Sequence, residues 1–171
     1  MKKIISKPNA MTGLAKINLF PVPNGKYIVH STVNPKYVWD VNVENSNLIV
    51  WQKSVNPNQQ FIFEENNSGL YTINCAHTGK VIDCAGGKID NLTNVRAYDP
   101  NGTNAQLWSI HSEGDGKYSF KCALDGTDNN RLIGLQDALV KNGSNIWLYN
   151  ANGTNAQKWT LESIQSINIE E

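Results

Sequence analysis

Two stretches of this chain are nearly the same. Residues 95–108, VRAYDPNGTNAQLW, return at 146–159 as IWLYNANGTNAQKW, with an aromatic, then Asn-Gly-Thr-Asn-Ala-Gln, then Trp in register. A weaker third copy is IVWQKSVNPNQQF at 49–61, where Trp51 stands for Tyr98, and Gln59 and Phe61 for Gln106 and Trp108. The glutamines Gln59, Gln106 and Gln157 are therefore 47 and 51 residues apart. A period of that size marks a chain built from copied supersecondary units, which limits the folds open to it more than any composition does.

Each copy opens on a strand-like run, KYIV at Tyr27, LYTI at Tyr71 and KYSF at Tyr118. Each continues with an apolar pair and a small or acidic residue: VWD ending at Asp40, VID at Asp83, LIG at Gly134. Short β-type segments between turn residues, with almost no helical period, predict about four strands per copy. Asn101-Gly102 and Asn152-Gly153 read as hairpin signals, because both residue types tolerate positive φ. No such unit buries its own apolar face, so three must pack around a common axis. That predicts an all-β fold, a β-trefoil with repeats at about 24–66, 67–113 and 114–163 inside a domain spanning 22–171, preceded by an extension, 1–21. A three-bladed propeller is the rival, but propellers need at least about four blades to surround a channel.

At 171 residues the chain suffices for one well-buried domain. Fifteen basic and fifteen acidic residues cancel, so no global field draws it to nucleic acid or an anionic membrane. No segment is apolar for long enough to insert in a bilayer. The opening MKKIISKPNAMTG reaches Lys7, Pro8 and Asn9 before any long apolar run, so no signal peptide is expected, and the cytoplasm or leaderless release is. Cys75, Cys84 and Cys122 are odd in number and do not cluster with His30, His77 or His111, so neither a disulfide framework, a metal nor a cofactor is expected. The strand-like runs KINLF and SINIEE outside the repeats are expected to close the fold or fray, and pairing with another chain or a homo-oligomer is left open.

In each copy the glutamine and the aromatic two residues later are expected on one side of a strand, with the aromatic in the core. The amide, which has two donors and an acceptor, then ties down a neighbouring loop. Chemistry is sought in the residues that differ from this scaffold: an acid early in the copy and an aromatic eight residues before the glutamine. These are Asp40 with Trp51, Asp83 with Tyr98, and Gly134 with Tyr149. An ionised Asp accepts from two vicinal sugar hydroxyls while an aromatic face covers the C–H patch of the ring. The alternative is that the acids cap turns and the aromatics are partly buried edge residues.

Three Gln-x-Trp-type elements with the upstream acid and aromatic resemble the ricin B-type lectin family, which includes hemagglutinin components of clostridial toxin complexes. The resemblance covers about residues 24–161. It implies a carbohydrate-binding lectin for glycans or glycoproteins, with galactose or N-acetylgalactosamine the first guess. In the second copy it implies a site of Asp83, Tyr98, Asn101, Asn104 and Gln106. Arg96 stands there where the family often has Gln, either donating to a hydroxyl, recruiting an acidic sugar or lying solvated on its strand. Ala105 stands where many members have Asn. The first copy keeps Asp40, Trp51, Asn58 and Gln59, with Asp40 and Trp51 only eleven apart instead of fifteen, which predicts a shallower or differently shaped pocket. The third keeps Tyr149, Asn152, Asn155 and Gln157 but has Gly134 for the acid, with Asp137 as a replacement, and is expected to be weak or dead. Val81 and Pro100 stand where the family's bridge would be. A protein-binding trefoil, such as a protease inhibitor or a toxin-complex subunit, is the competing class. Catalysis is not expected, because no histidine falls in a copied position and Asp40 and Asp83 belong to different repeats.

Overall fold

Among the described residues, alternating apolar residues bounded by Gly, Asn and Ser turns fold into twelve short strands in three sets of four. The structure, a computed structural model, describes residues 21–126 and 130–165. KINLF, SINIEE and all but the last residue of the N-terminal extension lie outside the described residues.

The first set is β1 (Gly25–Ser31), β2 (Tyr37–Val41), β3 (Leu48–Gln52) and β4 (Phe61–Glu65). The second is β5 (Tyr71–Cys75), β6 (Val81–Cys84), β7 (Val95–Tyr98) and β8 (Trp108–Gly114). The third is β9 (Lys117–Cys122), β10 (Arg131–Leu135), β11 (Ile146–Asn150) and β12 (Trp159–Ser163). The outer strands of each set pair in a closed ring, β1-β4-β5-β8-β9-β12 and back to β1, so this six-stranded barrel leaves no edge exposed. The inner strands form three hairpins, β2-β3, β6-β7 and β10-β11. This is a β-trefoil.

The hairpins are joined to one another in a cycle. Asn47 bridges to Arg96, Asn94 to Trp147 and Asn145 to Ile49, so each repeat touches the next. The Asn94 amide donates to Asn47, and Asn47 Nδ2 donates to Asn145 Oδ1 at 3.4 Å. A thrice-repeated Ser/Thr-Asn before an apolar residue, at 46–48, 93–95 and 144–146, is the sequence mark of this ring, and reading for Gln-x-Trp alone passes over it.

Trp39, Phe61, Phe120 and Trp159 are fully buried and pack edge-on or tilted, with ring centroids 5.1–5.7 Å from Trp39. Trp39 takes the place that Ile82 and Ile133 have in the other copies, and Phe61 that of Trp108 and Trp159. Large and small are exchanged between neighbours, so the core volume is kept although the motif is altered. Trp108 Nε1 donates to Ile82 O at 3.0 Å and Trp159 Nε1 to Ile133 O at 3.1 Å, which fastens each hairpin to its barrel strand.

Two local expectations need correction. The glutamines are not on strands: each ends a short 3-10 turn, Pro57–Gln59, Asn104–Gln106 or Asn155–Gln157, and the strand starts two residues later. Alternation along a strand therefore does not relate Gln to the aromatic. The Asn-Gly pairs are turns with Gly102 and Gly153 at φ 71° and 70°, but they do not close hairpins. The strands on either side, β7 with β8 and β11 with β12, pair with other partners. Asn101 and Asn152 instead accept from the N–H and hydroxyl of Thr103 and Thr154 two residues on, the short polar turn that Asn favours.

Candidate functional site

Each hairpin sets the acid position opposite one residue of the next strand and diagonal to the aromatic. Asp40 pairs with Ile49 and Val38 with Trp51, Asp83 with Arg96 and Val81 with Tyr98, Gly134 with Trp147 and Leu132 with Tyr149. Side chains two apart share a face, so acid, cross-strand partner and aromatic stand together on the outer face. Trp51, Tyr98 and Tyr149 are each about two-fifths exposed (44%, 43% and 39%).

The glutamines stand behind this face. Gln59 Oε1 accepts from the Ser54 N–H, while its Nε2 donates to Gln52 O and, at 2.8 Å, to Asp40 Oδ2. Gln106 repeats the pattern with the Asn101 N–H, Asp99 O and, at 3.1 Å, Asp83 Oδ2. Gln157 holds the Asn152 N–H and the carbonyls of Tyr149 and Asn150, with no acid to meet. One amide thus fixes the loop and orients the carboxylate. A Cβ at Gly134 would lie 3.1 Å from Gln157 Cγ, so the third copy is packed tightly where an acid would stand.

In the first copy the sequence-derived residues meet. Asp40, Trp51, Asn58 and Gln59 line one depression of about 560 Å³. Asn58 Nδ2 donates to Asp40 Oδ1 and Gln59 to Oδ2, both at 2.8 Å, and no cation is paired with this carboxylate among the described residues. Burial pushes the Asp40 pKa above the usual aspartate value, and the Gln59 and Asn58 bonds offset part of that. Gly143, from the third repeat at φ 88°, approaches Trp51 closely; a Cβ there would lie 3.8 Å from Trp51 Cζ3. The four residues missing from this loop fall beyond the paired Asp40–Ile49 position, so Asp40 and Trp51 keep the same relation on the hairpin as Asp83 and Tyr98.

The second copy differs. Arg96 Nε donates to Asp83 Oδ1 at 2.9 Å and its guanidinium carbon lies 4.0 Å above the Tyr98 ring centroid. Arg96 thereby supplies the bond that Asn58 gives in the first copy, since Ala105, at the equivalent position of the second copy, has no donor. Asp83, Arg96 and Asn101 line a depression of about 370 Å³; Asn104 opens the 3-10 turn and does not line it, and Gln106 lies buried beneath. In the third copy Asp137, Tyr149 and Asn152 line a depression of about 410 Å³ with Trp147, which stacks on Tyr149 with 6.0 Å between ring centroids and 19° between planes. Asp137 stands at φ 54°.

Ile49, Arg96 and Trp147 form the position that reading for acid and aromatic alone leaves out, except for Arg96. The signal was present: the residue two before each motif aromatic shares its face. Among the described residues no group of His, Cys, Asp and Glu is placed to hold a metal.

The model of the family described as ricin-type beta-trefoil lectin domain-like matches residues 19–98 and 57–129, together more than half of the chain. The chain belongs to that family. This trefoil lectin domain is similar in structure to the designed threefold-symmetric protein ThreeFoil, at 24% identity and TM-score 0.76, over 82% of this chain and 99% of that one. It is also similar to a Macrolepiota procera ricin B-like lectin in complex with lactose, at 20% identity and TM-score 0.70, over 84% and 99%. An exo-β-1,3-galactanase from Clostridium thermocellum matches at 22% identity and TM-score 0.75, over 85% of this chain but only 31% of the enzyme. At these identities the similarities establish the fold alone. No curated protein sequence matches the chain.

Proposed function

We propose that this lectin-family domain binds glycans without transforming them, and that the first copy is its principal site for a neutral, galactose-type sugar. One observation carries the reading: Asp40 is held by two amides, is paired with no cation among the described residues, and stands beside an exposed indole in a single depression. Two amide bonds leave the carboxylate with about two of its roughly four lone-pair sites for hydroxyls, and Trp51 offers a face to the C–H patch. The lactose complex of the Macrolepiota relative supports the sugar class.

Single-site affinity is expected in the millimolar to high-micromolar range, about 4–6 kcal/mol, because hydroxyl bonds trade against water. Titration of methyl β-galactoside followed through the Trp51 indole N–H signal tests this. Asp40→Asn turns an acceptor into a half-donor and should cost about 1.5–3 kcal/mol, at least about tenfold in affinity, and Trp51→Ala a similar amount. Folded Asp40→Asn protein that binds as the parent does would refute the site. A glycan array with no bound sugar would turn the reading to a protein-binding trefoil.

A further inference from the structure

In the second copy the position of a neutral sugar is already taken. The guanidinium of Arg96 covers the Tyr98 face at 4.0 Å and meets the Asp83 carboxylate, whose side chain is only 3% exposed. Both Asp83 oxygens are engaged, one by Arg96 and one by Gln106. Yet Arg96 spends one donor of five on this: only its Nε is bonded among the described residues, and its side chain is 31% exposed. Arg96 lines the depression, and its two Nη groups, set apart from the ε edge that meets Asp83, carry no hydrogen bond among the described residues. There the wall is Gly86 and Gly87, at φ 67° and 64°, and a Cβ on Gly87 would meet nothing within 4 Å. Room and two forked donors coincide.

We propose that the second copy is a site for an acidic sugar, a pyranose whose carboxylate pairs with the Nη edge of Arg96 while Tyr98 and Asp83 hold the guanidinium in place. This rests on the reading that the repeats take sugars, but it assigns them different ones. The cross-strand partner of the acid position sets the class: Ile49 leaves Asp40 to neutral hydroxyls, and Arg96 converts the same frame into an anion receptor. A bidentate carboxylate on a pre-held arginine matches in shape and charge.

The test compares methyl α-galacturonide with methyl α-galactoside, which differ only at the C6 carboxylate, with sodium acetate as the ion control. The readouts are the Arg96 Nε–H and Tyr98 ring signals of the full chain, with the Trp51 indole in the same spectra. The galacturonide is expected to move the Arg96 signals saturably and to bind there at least about tenfold more tightly than the galactoside, with affinity falling as salt is raised. Arg96→Ile alone strands a buried carboxylate, so the decisive variant is Arg96→Ile with Ala105→Asn, which restores the amide donor that Asp40 has. It should lose the galacturonide preference and gain galactoside binding. The proposal is overturned if Arg96 stays silent to galacturonide up to about 10 mM, if galactoside binds there equally well, or if acetate alone gives the same shifts. Trp51 responding to galactoside while Arg96 stays silent sinks this inference only; the reverse sinks the first-copy reading only.

Discussion

Asp40 carries its charge against its surroundings. Burial raises its pKa above the ordinary 3.8, and the bonds from Gln59 and Asn58 do not fully restore it. Sugar hydroxyls need the carboxylate as acceptor, so ligand affinity at the first copy should be full near neutrality and fall as pH drops through a value above 3.8. The sign for the fold is opposite. A group whose folded pKa is raised adds stability below its unfolded pKa and loses that contribution as pH rises through the folded one, so protonating Asp40 weakens the ligand without itself unfolding the protein. Galactoside titrations at about pH 7, 5 and 4 should show the decline in the parent and not in Asp40→Asn; an undiminished parent affinity at about pH 3.5 would remove the carboxylate from the site. At this scale the sequence displays the acids and aromatics, because they recur at fixed distances from Gln. It hides what each acid is bonded to. Ile49 and Arg96 each stand two before the motif aromatic, so their equivalence is legible, but Asp40 and Ile49 are nine residues apart and Asp83 and Arg96 thirteen, and only strand register reveals that each faces its acid.

The 3-10 turn ending in Gln is the element that joins scaffold to site. Its amide closes the loop before it, so Gln106→Ala and Gln157→Ala should each free loop N–H and C=O groups at about 1–3 kcal/mol. Gln106→Ala should cost more, because it also releases an oxygen of the buried Asp83. Calorimetry should show both melting several degrees below the parent, at about 2–4 °C per kcal/mol, with Gln106→Ala lower; equal or unchanged melting would contradict the role given to Asp83. Strand content and order were legible because each copy repeats the same alternation and turn residues. The turn itself was not, since three residues carry no period and Gln-x-Trp is equally compatible with a strand. Nor was the connection beyond Asn-Gly, where local residues favour a turn but barrel closure, a long-range matter, decides which strands pair.

At the scale of the whole molecule, three units that cannot stand alone share one core, and that predicts a single cooperative transition. The cysteines report on it. Cys75 and Cys84 come from the second repeat and Cys122 from the third, and all three are buried, at 0%, 0% and 1% exposure. The neighbouring Cys122 thiol and burial push the Cys84 thiol well above its ordinary pKa, so it is held protonated and is a poor nucleophile. If the repeats opened one at a time, Cys122 would become reactive in an excursion that left Cys75 closed. Barrel closure argues otherwise. β5, which ends in Cys75, pairs with β4 of the first repeat and β8 of its own, and β8 pairs with β9, which ends in Cys122, so one thiol is released only by parting strands that hold the other. In native buffer an aromatic disulfide reagent should therefore find essentially no thiol. In increasing urea the three should become reactive over the same range, coincident with the loss of tryptophan signal from the Trp39 and Trp159 cluster. Mass analysis of the modified peptides separates the sites, and labelling of Cys122 well ahead of Cys75 and Cys84 would mean that the third repeat unfolds as a unit of its own.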